Sequence, residues 1–129
     1  MASRFKGYMG NMLEIDLTEG VVRETDVTDK EREMFIGGKG LAAKILFDRI
    51  KPGIDPLSPE NMLIFNTGPL TGSNAPCSSR FNCTTKNVLT GGIASSNCGG
   101  NFGLNLKKAG YDALILTGKA KNPVHISIE

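Results

Sequence analysis

The sequence predicts a strand-rich α+β fold with short helices, on three observations. Segments that alternate apolar and polar residues are short and numerous, whereas helical patterns are few and brief. Of sixteen glycines, ten gather in clusters at 37–40, 68–72, 91–92 and 99–103, between the apolar segments, and so mark many tight turns. Strands and helices do not alternate regularly, which argues against a doubly wound parallel sheet.

Each element follows from local chemistry. Residues 11–17 alternate, with Leu13, Ile15 and Leu17 against Glu14 and Asp16, and read as a strand. Thr18-Glu19-Gly20 is a turn and 21–25 the returning strand of a hairpin. Thr28 followed by Glu31 fits a capping box, so a short helix should run to about Phe35 and stop at Gly37-Gly38. A second helix over 41–49 places Leu41, Ile45 and Phe47 toward a core, and Pro52 prevents its continuation. Residues 54–61 form a proline-rich loop, 62–66 a short apolar strand and 68–72 a turn. Strands are expected over 81–85 and 93–95. A helix should follow, with Phe102, Leu106 and Ala109 on one face and Gly110 just past its end. Residues 113–117 and 124–128 read as two closing strands joined by a turn. There is no internal repeat and no linker, so residues 1–129 read as one domain. A terminal strand reaching almost to Glu129 suits a chain cut from something longer, with a natural terminal strand as the alternative.

Composition narrows the function classes. A hydrophobic share of 40% with 22% charged residues fits a globular chain, and a net charge of only +2 gives no electrostatic reason to bind nucleic acid or an anionic membrane. The N-terminus has no apolar stretch of a secretory signal, and no run is long enough to span a bilayer. Cys77, Cys83 and Cys98 form an odd set without a CxxC pair. Free thiols in a reducing, cytoplasmic compartment are the expected state.

The motifs are weighed one by one. Gly38-Lys39-Gly40-Leu41-Ala42-Ala43 has dinucleotide-turn spacing, but the segment before it reads as helix, so a glycine-bent helix–helix junction is expected. Gly118-Lys119 does not complete a phosphate loop and reads as a turn. Around 97–103, glycines ahead of a helix suit either an anion cradle or a tight turn, and the local pattern supports both equally. Arg80, after a turn of small residues, can pin a phosphate through its planar fork, although an exposed or ion-paired arginine is the commoner case. The cysteine spacings match no iron–sulfur motif, and His125 stands alone. Asp16, Glu19, Glu31 and Glu33 read as solvated, leaving no acid–base pair.

Several blocks taken in order carry a resemblance. They are GGKGLA at 37–42, DPLSPEN at 55–61, GPLTG at 68–72, APCSSR at 75–80, TKNVLTGG at 85–92, SNCGGNFG at 96–103 and LKKAGYDALILTGKAKNPVHI at 106–126. In this order and spacing, from about Gly10 onward, the chain resembles the N-terminal domain of the aldehyde ferredoxin oxidoreductases. The resemblance implies a two-sheet base on which a tungsten- or molybdenum-bis-pterin sits, with the metal held by pterin sulfurs. It implies that Arg80 binds pterin and bridges toward a [4Fe–4S] cluster, and that Asn97 and Gly99 contact pterin, with no metal ligand in these residues. The second pterin segment, the cluster cysteines and the acid–base residues would lie beyond Glu129 or in a partner subunit. The isolated chain is then expected to be inactive. Aldehydes would be oxidised to carboxylic acids with ferredoxin as acceptor, in an assembly that can be a homo-oligomer. Ser78 and Ser79 stand where many members have glycine, a departure expected of a subgroup with another substrate. Two other readings remain beside it: a non-redox module for a phosphate-bearing ligand, and a split-gene subunit that needs a cluster-carrying partner.

Overall fold

A computed structural model describes residues 5–129. Its elements in chain order are β1 (Asn11–Asp16), β2 (Val21–Asp26), α1 (Asp29–Phe35), α2 (Gly38–Arg49), β3 (Met62–Asn66), β4 (Phe81–Lys86), β5 (Ile93–Cys98), α3 (Phe102–Lys108) and β6 (Tyr111–Thr117). The strands form one six-stranded sheet in the order β2-β1-β6-β3-β4-β5. β6 runs parallel to β1 and antiparallel to β3, and all other neighbours are antiparallel. The strand-rich α+β class with short helices is as expected. Of the two sheets that the resemblance implies, the described residues build one, because β6 joins the β1–β2 hairpin to the β3–β4–β5 meander.

Alternation puts a separate apolar cluster on each face of the sheet. On one face Met12, Met62, Ile64, Ala113 and Ile115 meet Leu41, Ala42, Ile45 and Leu46 of α2. On the other, Leu13 and Leu114 meet Leu106 of α3, with Phe65, Leu116 and Ile128 packed around them. The buried positions of α2 are two i, i+4 pairs. That stripe turns Phe47 away, and it is 86% exposed rather than in the core.

The predicted strand at 124–128 does not form, and the residues after β6 are irregular. The reason is topological: β6 lies between β1 and β3, so it has no free edge for a following hairpin strand. Instead Gly118 donates to the Pro59 carbonyl (3.2 Å) and Lys119 to Thr18 Oγ1 (2.9 Å), leading the chain away. His125 is exposed in this segment.

The capping box forms as predicted. Glu31 N donates to Thr28 Oγ1 (3.2 Å), and Thr28 N donates to the Glu31 carboxylate (2.9 Å). Glu31 is not on a solvated face, however. It is half-buried and paired at 2.8 Å with Lys44 of α2, which also reaches Asp48. Burial pushes the Glu31 carboxyl up, but the bonds from Lys44 and Thr28 outweigh it and hold the pKa at about 2. A carboxylate lowered in this way stabilises the fold fully above its unfolded value of 4.5, and that contribution is lost as pH falls toward about 2. Glu31→Gln is therefore expected to flatten the acid-side loss of stability within this window. Urea midpoints compared at about pH 5 and about pH 3 check this, and equal slopes for both proteins would refute the pairing.

Candidate functional site

The three residues singled out from the sequence meet at one end of the sheet. Pairing places Asn66 of β3, Asn82 of β4 and Asn97 of β5 on a single rung. The last β4–β5 pair is Phe81 with Cys98; Arg80 directly precedes Phe81 in the chain and Gly99 directly follows Cys98. Arg80, Asn97 and Gly99 are all exposed. Asn97 belongs to β5 rather than to the glycine turn, because the ladder continues through Cys98. Helix α3 has only seven residues, and Asn101 makes no side-chain cap bond. The helix field suggested by the sequence therefore adds little here, and the site stands on side chains and open backbone. An added Cβ at Gly99 would meet nothing within 4 Å, so a ligand can approach the main chain closely.

Arg80 lies on the rim of a cleft of about 370 Å³ that Ile36, Gly68, Thr71, Cys77 and Ser78 also line. Asn97 and Gly99 do not line this cleft. The loop is held by its own polar groups. Gly68 N donates to Thr71 Oγ1 (3.1 Å), and the Thr71 hydroxyl donates to the Arg80 carbonyl (3.1 Å). Next to Arg80, the Phe81 ring packs at a tilt 4.8 Å from that of Phe102, and Phe65 lies 5.5 Å from Phe102.

Residues near the N-terminus brace the cleft from the other side. The Asp112 carboxylate accepts from Met9 N (3.1 Å) and Gly10 N (2.9 Å), and Lys107 Nζ bridges Asp112 and the Gly7 carbonyl. Tyr8 donates its hydroxyl to the carbonyl of Ile36 (2.7 Å), a cleft residue. The Tyr8 ring lies 5.5 Å from the Arg32 guanidinium and 5.6 Å from Lys107 Nζ. The glycine-bent junction predicted at 37–40 is borne out: α1 ends at Phe35, α2 starts at Gly38, and a Cβ on Gly37 would lie 2.8 Å from the Thr67 carbonyl oxygen.

The donor set defines the chemistry. A guanidinium, a primary amide and open glycine backbone present hydrogen-bond donors to an anionic or acceptor-rich ligand. Among the described residues, no three His, Cys, Asp or Glu side chains gather in a way that would hold a metal ion. The three cysteines are free, and burial pushes the Cys83 thiol up. An apolar groove of about 360 Å³ between Phe47 and Ile93 lies at the far end of the β4–β5 pair, away from this donor set. Sequence reasoning missed the buried residues behind the site, Asn82, Lys107 and Asp112. The first is one more polar residue in a strand and the others are single charges with no partner nearby in a recognisable pattern, so no local signal marks them.

Residues 12–129 match the family model described as aldehyde ferredoxin oxidoreductase, N-terminal domain. The chain belongs to the aldehyde ferredoxin oxidoreductase family. The tungsten-containing aldehyde ferredoxin oxidoreductases of Pyrococcus abyssi and Pyrococcus horikoshii are 45% and 46% identical to it over 122 residues, which is 95% of this chain and 20% of each relative. A solved structure, the active site complex BamBC of benzoyl coenzyme A reductase with 1,5 dienoyl-CoA, superposes with a TM-score of 0.88. That protein is 39% identical, and the match covers 91% of this chain and 18% of that one. The chain thus spans about a fifth of the length of the curated relatives it matches. One set of relatives is named for aldehydes and the other for benzoyl coenzyme A, so membership of the aldehyde ferredoxin oxidoreductase family does not fix the substrate. Among the described residues no helix is long and apolar enough to cross a membrane.

Proposed function

We propose that this chain is the base against which a tungsten- or molybdenum-bis-pterin cofactor is held in an aldehyde-oxidising, ferredoxin-linked enzyme. The observation that carries the reading is the β4–β5 register, which brings Arg80, Asn97 and Gly99 to one sheet end beside a cleft. The residues fit the group: they are exposed donors with free backbone approach, suited to a pterin and its phosphate rather than to a bare cation. Arg80 would bind the pterin and supply a positive charge between it and a [4Fe–4S] cluster. Asn97 and Gly99 would hold the pterin through hydrogen bonds. The cofactor, when bound, supplies the two-electron chemistry that takes an aldehyde to a carboxylic acid. The cluster ligands, the second pterin segment and the proton-transfer residues come from further domains or from a partner subunit, in a cytoplasmic assembly that passes electrons to ferredoxin.

Arg80→Ala is expected to lower the pterin recovered with the assembled enzyme at least tenfold, because a charge-assisted bidentate contact contributes roughly 1.5–3 kcal/mol. Pterin fluorescence and elemental analysis for tungsten and molybdenum on the same sample check it. Absence of both metals from an active assembly would overturn the pterin reading.

A further inference from the structure

Asn82 is 2% exposed and lies beside the exposed Asn97, its cross-strand partner. Its Nδ2 group donates to Ser95 Oγ (2.9 Å), the Ser96 carbonyl (3.2 Å) and Asn97 Oδ1 (3.2 Å). Its Oδ1 accepts from the Thr84 and Ser95 hydroxyls. Hydroxyls donate or accept as required, so they do not decide which way the amide points. The Ser96 main-chain carbonyl can only accept, so the group facing it must be the NH₂ of Asn82. That NH₂ also faces Asn97, so the group Asn97 turns inward must be its oxygen. The NH₂ of the exposed Asn97 is then the group left free of Asn82, and among the described residues it makes no hydrogen bond.

We infer that Asn82 is a positioning residue: through the Ser96 carbonyl it locks the Asn97 amide with its donors outward, so that this sheet end takes an anionic oxygen of the phosphate-ester class. The inference rests on the proposed cofactor seat and specifies its polarity. With Arg80 and the backbone at Gly99, the surface presents donors on every side. An inverted Asn97 would set an acceptor beside the arginine and weaken the hold on an anion.

The test is a titration of the ¹⁵N-labelled chain with inorganic pyrophosphate, followed by the side-chain amide and arginine Nε–H signals. Before addition, the Asn82 NH₂ should exchange slowly with solvent and the Asn97 NH₂ quickly. On addition, the Asn97 NH₂ and the Arg80 Nε–H should shift together. Asn82→Ser is small and uncharged and removes the orienting amide without burying a charge. It should weaken pyrophosphate binding about tenfold, the loss expected for one misdirected hydrogen bond to a charged group, while leaving the thermal transition cooperative. Asn82→Asp places an acceptor against Asn97 and should reverse the Asn97 amide, slowing exchange of its NH₂. Movement of Arg80 without Asn97 would overturn the positioning role and leave the cofactor seat standing. Movement of neither would overturn both. A slowly exchanging Asn97 NH₂ in the unliganded wild type would overturn the orientation directly.

Discussion

Asp112→Ala is expected to destabilise the fold by about 3–5 kcal/mol, the range for removing one partner of a buried ion pair. Asp112 and Lys107 are each 5% exposed in their side chains, and Nζ lies 2.5 Å from the carboxylate. The substitution leaves a buried ammonium whose remaining partner is the Gly7 carbonyl, at 2.6 Å. It also leaves the N–H groups of Met9 and Gly10 without their acceptor. Each buried donor left unpaired adds its own desolvation penalty. The double change Lys107→Met with Asp112→Leu removes the charge imbalance and should recover part of the loss, although the main-chain donors remain unmet. Urea unfolding at constant m-value measures both. A loss below about 1 kcal/mol for Asp112→Ala, the size of an exposed pair, would show that the pair is not buried in solution.

Gly7→Ala comes second, at about 2–5 kcal/mol. Two terms contribute: left-handed backbone costs a non-glycine residue about 1–2 kcal/mol, and overpacking about 1–3 kcal/mol. Gly7 has φ of +91°, and an added Cβ would overlap the Pro69 carbonyl oxygen and lie 3.3 Å from the Pro69 Cβ. Gly20→Ala separates the terms, since φ there is +66° but nothing lies within 4 Å of the added atom. It should show the backbone term alone. Equal urea midpoints for the two variants would mean that the chain at Gly7 is not seated on Pro69. Because Pro69 lines the cleft that Arg80 borders, Gly7→Ala should also shift the Arg80 Nε–H signal, and Gly20→Ala should not.

Much of the fold is legible in the sequence, for reasons of local chemistry. The β1–β2 hairpin follows from alternation around Thr18-Glu19-Gly20, and the start of α1 from Thr28 and Glu31. Gly110, with φ of +96°, ends α3 as its position predicts. The failures share a cause. Residues 124–128 have a strand's alternation, but a strand also needs a free edge, and β6 has none. Phe47 has a core residue's character, but the stripe set by Leu41, Ala42, Ile45 and Leu46 turns it outward. Glu31 looks solvated until α2 brings Lys44 alongside.

The candidate site divides in the same way. Arg80, Asn97 and Gly99 were nominated from ordered motifs, since the residue types and their spacing lie along one chain. The sequence by itself determined the family, most of the elements and the donor chemistry of these three residues. Only the tertiary structure decided that the β4–β5 ladder ends between Arg80 and Gly99, that Asn82 lies beside Asn97, and that Lys107 and Asp112 are buried together against residues 7–10. The physical reason is range. Caps, turns and alternation are set by neighbours a few residues apart, whereas register, burial and the polarity of a buried amide depend on groups from distant parts of the chain, which only folding brings into contact.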